Sequence, residues 1–172
     1  MTALRLLGAA CVVLAGAFRG FCAARGLHRC ADALLSVCET LEMLKSKLSE
    51  LCAPLPEILC RLKREAPAPC RGWLAALETR LASGDARFAE LWRETLETNP
   101  PPDLDAAALH QLALLAPSLG RYDAPEQCSA IERCLRALRE AHARAEERAR
   151  TQGRLYSGLG ISAGLVLAIV LL

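Results

Sequence analysis

The sequence predicts an all-α fold: an antiparallel helical bundle domain carried between N- and C-terminal transmembrane helices. Three observations predict it. Alanine and leucine dominate while β-branched residues are few, so helix propensity is high nearly throughout and no stretch sustains the alternation of a strand. Apolar residues in the middle of the chain recur at steps of three and four. The chain also has two apolar ends, of which the last 18 residues, Leu155 to Leu172, contain no charged group. These divide it into an N-terminal anchor over residues 4–24, a helical domain over 25–154 and a C-terminal span over 155–172.

The C-terminal end is the clearer of the two. At about 1.5 Å per residue it makes a helix about 27 Å long, close to the hydrocarbon core of about 30 Å, and it directly follows Arg148, Arg150 and Arg154. At the other end, Leu6 to Phe18 is apolar for only 13 residues between Arg5 and Arg19. Three readings fit that length. It is a span if Phe21 to Ala24 extend it and the arginines snorkel, a cleaved leader if Ala15-Gly16-Ala17 is a cleavage site, or a soluble core helix. The paired anchor at the far end favours the span. Arg19, Arg25, Arg29, Arg144, Arg148, Arg150 and Arg154 all flank the middle of the chain, whereas only Arg5 lies outside. Positive charge on the inner side then places residues 25–154 in the cytoplasm.

Between the anchors each helix can be justified in turn. Leu34, Cys38, Leu41, Leu44, Leu48 and Leu51 form one stripe on a helix from about Leu27 to Cys52, stopped by Pro54 and Pro56. Pro56 opens a short second helix through Leu59 and Leu62. Ala66-Pro67-Ala68-Pro69 reads as a loop, followed by a helix with Trp73, Leu74, Leu77 and Leu81 on one face and Gly84 at its end. Phe88, Leu91, Trp92 and Leu96 give the next, halted at Asn99-Pro100-Pro101-Pro102. Asp103 or Asp105 caps a fifth, with Leu109, Leu112, Leu115 and Leu119 as its core positions and its end near Gly120. The last helix has the clearest start, because Asp123, Pro125 and Glu126 combine a cap, a helix-opening proline and a capping-box glutamate. Its seam of Cys128, Ile131, Leu135, Leu138, His142, Ala145 and Ala149 weakens toward the membrane. That lower part either packs closely on small residues or stands free as a stalk.

Composition excludes several kinds of function. There are 21 basic and 19 acidic residues, a formal net charge of +2, and the excess lies beside the apolar ends without interleaved aromatics. That pattern suits anionic lipid and argues against nucleic acid. The nine cysteines include no C-x-x-C pair, and several fall at core spacing, so they read as buried thiols in a reducing compartment; a disulfide framework belongs to the leader alternative. His28, His110 and His142 are scattered without ligands at metal spacing. No phosphate loop and no nucleophile with a base is present, and neither catalysis, cofactor nor metal is expected. The glycines of the last span have another use. Gly160 and Gly164, with Gly158 two residues before the first of them, offer a face on which a second membrane helix can approach closely, and Gly16 and Gly20 offer another.

Several blocks together resemble the stage III sporulation protein AB family: Pro54-Leu55-Pro56-Glu57, Phe88-x-x-Leu91-Trp92, Leu119-Gly120-x-x-Asp123-x-x-x-Gln127-x-x-x-Ile131, and Leu159-Gly160-x-x-x-Gly164. The resemblance covers nearly the whole chain, and the block around Asp123 is its most specific element. It implies a component of the channel apparatus between mother cell and forespore, with a domain similar to the helical platforms of type II secretion. Such a domain would contact a secretion-type ATPase and other channel membrane proteins from the mother-cell membrane around the forespore, with self-association left open. Cysteine richness and Arg19 depart from the family's pattern. For Gly120, Asp123, Gln127 and Ile131 a structural role, as turn, cap and core, and an interface role both remain open.

Overall fold

The computed structural model describes the backbone of residues 2–51, 55–83, 87–119 and 123–171. Side chains within these ranges are described from residue 25 to 151 except Leu51, and for Phe18 and Cys22. The described residues are entirely helical or connecting, so the fold is all-α. Among the described residues six helices follow in order: α1 (Thr2–Leu51), α2 (Leu55–Glu65), α3 (Ala68–Ala82), α4 (Phe88–Thr98), α5 (Ala106–Leu115) and α6 (Ala124–Leu171), with a 3₁₀ turn, Ala116–Ser118, after α5. They form two compact units. One is Asp32–His142; the other combines Met1–Ala31 with Ala143–Leu172.

The first helix is longer than its leucine stripe predicts. It starts at Thr2 and runs unbroken for 50 residues, because no proline occurs before Pro54 and a glycine such as Gly26 weakens a helix without ending it. Within Asp32–His142, Leu34, Val37, Cys38, Leu41, Leu44 and Leu48 of α1 are buried, as are Ala33 and Thr40. The apolar face is thus broader than the predicted stripe. Ion pairs show that α6 lies antiparallel alongside, since Lys45 pairs with Glu132 and Glu42 with Arg139, one number rising as the other falls. Lys47 reaches Glu65 of α2 at 2.7 Å, tying the second helix to the same framework.

The short helices fill the core from the other side. Ile58, Leu59 and Leu62 of α2, Trp73, Leu74 and Leu77 of α3, and Leu112 of α5 are at most 2 % exposed. Burying each such side chain is worth about 1.5–3 kcal/mol relative to leaving it in water. The connection predicted over residues 66–69 is shorter than expected. Only Ala66 and Pro67 lie between helices, and Pro69 sits in the first turn of α3, where its missing N–H has no helical partner to lose. The fifth helix also ends sooner than expected, at Leu115. Pro117 cannot donate to the turn before it, so the chain tightens into 3₁₀ and the Ala116 N–H bonds the Ala113 carbonyl. Leu119 is nevertheless buried, as its sequence position predicts.

Two hydroxyls in the core serve their own helices. Thr40 donates to the Ser36 carbonyl at 2.8 Å and Thr95 to the Leu91 carbonyl at 2.6 Å, so neither is orphaned. Asp103 alone among the described non-glycine residues has positive φ, 59°, a conformation aspartate tolerates. In the second unit Ala149 is only 2 % exposed, which fits the close-packed reading of the lower seam over a free stalk. Among the described residues no helix is long and apolar enough to cross a membrane. The side chains of both predicted anchors lie almost wholly outside the described ones.

Candidate interface site

The block singled out by sequence sits where α6 begins. Gly120 lies outside the described residues. Asp123 is exposed, and its backbone carbonyl accepts the Gln127 N–H at 3.1 Å, the first turn of α6. Gln127 is buried, 9 % exposed, and Ile131 one turn further is fully enclosed. Around them α6 is fastened on both flanks. The Cys128 thiol points at the Lys45 carbonyl of α1 at 3.8 Å, and the Cys134 thiol at the Gln111 carbonyl of α5 at 3.6 Å. Gln127 and Ile131 are thus buried on the stretch of α6 that Cys128 and Cys134 hold to α1 and α5, with Asp123 left at the surface. Gly158, Gly160 and Gly164 are helical in α6, but what surrounds them lies outside the described residues.

A second cluster holds α3, α4 and α5 together. Trp73 and Trp92 meet edge to face with ring centres 4.8 Å apart, and Phe88 lies 5.9 Å from Trp92. The Trp92 indole N–H donates to the Leu112 carbonyl at 2.8 Å. Sequence reading assigned these aromatics to helix faces but missed a cleft beside Phe88, of about 560 Å³ and lined by Arg87, Phe88, Arg93, Pro117 and Leu119. A smaller groove, lined by Gln111, Leu114, Ser118 and Arg133, runs between α5 and α6. Neither could be found from periodicity, because each joins residues of helices distant in sequence.

Burial and ion pairing set the chemistry of the described thiols and carboxyls. Burial pushes the Cys38 thiol up to about 11 and the Cys134 thiol up to about 12, and it raises Cys70 as well, so these thiols stay protonated and unreactive. None of the seven described cysteines is in a disulfide; the Cys11 side chain and the whole of Cys52 lie outside the described residues. No group of three or more metal-ligating side chains occurs among the described residues. The perturbed carboxyls are surface ion pairs. A bond from Lys63 holds Glu78 below the usual carboxylate value, and one from Lys45 does the same for Glu132.

Comparison with known proteins places this architecture. No curated protein matches the sequence. A solved structure described as stage III sporulation protein AB is similar in fold, with a TM-score of 0.62 at 19 % identity, covering 68 % of this chain and 93 % of that one. The sequence profile of the stage III sporulation protein AB family matches residues 5–172, which takes in both apolar ends and the helical unit between them. The chain belongs to the stage III sporulation protein AB family, and its role is in sporulation.

Proposed function

We propose that this protein is a membrane-anchored platform of the channel apparatus between mother cell and forespore. Its helical unit would lie in the mother-cell cytoplasm, where it positions a secretion-type ATPase and channel membrane proteins; it acts by holding partners in place and not by catalysis. The observation that carries this reading is the grouping of the two apolar ends. Residues 1–31 and 143–172 belong to one compact unit, as expected of two anchors entering one bilayer side by side. Gly16, Gly20, Gly160 and Gly164 supply the small surfaces such a pair needs. That none of the seven described cysteines is in a disulfide supports a reducing compartment for the middle of the chain.

A fluorescent reporter inserted after the exposed Pro102 in the full-length chain, expressed in sporulating cells, tests the topology. Fluorescence with protection from external protease is expected; a reporter reached only from outside would reverse the orientation and remove the platform. Purification of the tagged full chain in mild detergent tests the partners. Recovery of an ATPase of the secretion class is the expected result, and its consistent absence would overturn that part of the reading.

A further inference from the structure

We propose that the groove between α5 and α6 receives the acidic face of α1 from a second copy of this chain. The groove is open and mixed in character. A cleft of about 220 Å³ lies between Gln111, Leu114 and Ser118 on one side and Arg133 on the other, and it continues past Arg133 to Arg136. Leu114 stands 55 % exposed at its edge. Neither Arg133 nor Arg136 takes part in an ion pair among the described residues, whereas Arg139 one turn on is held by Glu42. Glu140, at the far end, has an interaction of its own. A large apolar side chain beside Arg133, and beside Arg136 whose charge also acts on Glu132, is a surface suited to a leucine flanked by carboxylates.

This chain carries that complement. Asp32, Leu35 and Glu39 follow steps of three and four on α1 and so share a face. Leu35 is 45 % exposed, both carboxylates are exposed, and neither is in an ion pair among the described residues. The two surfaces cannot satisfy each other inside one copy. Because Lys45 meets Glu132 and Glu42 meets Arg139, each step down α1 toward Glu39 and Asp32 leads further along α6, away from Arg133 and Arg136. Between copies the signs match, leucine meets leucine, and two-fold exchange uses each surface once per chain. So few groups form a small interface, so the association is weak and falls as salt rises.

Sedimentation of the full-length chain in mild detergent, over a range of concentration and salt, tests the pairing independently of any role in sporulation. Self-association is expected. Reversing either surface, in Asp32→Arg/Glu39→Arg or in Arg133→Glu/Arg136→Glu, should weaken it by about tenfold or more. Mixing the two reversed proteins should restore it, since their surfaces are again opposite in sign. Leu35→Ser/Leu114→Ser should weaken it without changing charge, which keeps the test sound should a reversed variant lose helicity. A monomeric parent, association indifferent to all these changes, or a mixture that stays apart would each overturn the proposal.

Discussion

Trp92 of α4 donates its indole N–H to the backbone carbonyl of Leu112 in the last turn of α5, 2.8 Å away and buried. A carbonyl has two lone pairs, so this bond is compatible with the helical one and locks two short helices together. Trp92→Phe keeps most of the ring but removes the donor and leaves a buried carbonyl less well satisfied. A loss of about 1–3 kcal/mol in denaturant unfolding is expected, and Trp92→Ala should cost about 3–5 kcal/mol through the cavity it leaves. An equally stable Trp92→Phe protein would show that the edge-to-face stack with Trp73, and not the bond, is what matters.

Two aspartates begin helices, and the structure separates them. The Asp105 side chain accepts the Ala108 N–H at 2.8 Å, resolving the choice between Asp103 and Asp105 as the cap of α5. Asp105→Ala should destabilise the domain by about 1 kcal/mol, and so should Asp123→Ala if its carboxylate caps α6 as the sequence predicts. Thermal melts of the two variants side by side check both. A neutral Asp123→Ala would mean that this exposed group serves a partner.

Gly72 lies in the middle of α3, exposed, with no atom within 4 Å of where a Cβ would stand. Gly72→Ala should therefore stabilise the protein by about 0.5–1 kcal/mol, mainly by restricting the unfolded chain. An unchanged or lower midpoint would point to a contact made there by another molecule.

Thiol reactivity gives an independent check on the core. With Cys38 at about 11 and Cys134 at about 12, the thiolate fraction at pH 8 is on the order of 10⁻³ or less. In the folded protein both should resist alkylation and react promptly only once denatured, as followed by peptide mass spectrometry. Rapid labelling under native conditions would mean that α1 and α6 separate readily.

Acid should weaken the surface framework in a defined direction. Bonds from Lys45 and Lys63 lower the carboxyl values of Glu132 and Glu78 from 4.5 in the folded state. Such groups stabilise above the unfolded value, and the contribution fades as pH drops through the lower folded one. The double change Glu132→Gln/Glu78→Gln should therefore flatten the decline in melting temperature below about pH 4.5. An equally steep decline would assign acid sensitivity to other carboxyls.

Much of this fold was legible because helix punctuation is local. Pro56 and Asp105 act on backbone within a turn of themselves, and the stripes from Leu34 to Leu48 and from Ile131 to Leu138 are set by a period any helix must obey. What escaped reading was tertiary. Pro69 looks like a breaker until its place in the first turn of α3 is known, and the bond from Trp92 to Leu112 joins residues 20 apart. The candidate block was located but its meaning was not: burial of Gln127 and Ile131 and exposure of Asp123 depend on how α6 is wedged between α1 and α5. The pairing of Leu114 with Arg133 across a groove has no signature in either segment alone.

The ion pairs between the first and last helices join positions 87 and 97 residues apart. During synthesis the ribosome must make everything from α2 to α5 before the partner of the first leucine stripe exists. Closing so long a loop is slow, and the stripe on α1 meanwhile stays a sticky surface in the nascent chain. Chains truncated before α6 should accordingly aggregate or be degraded, making completion of the last helix the step that commits this protein to its native state.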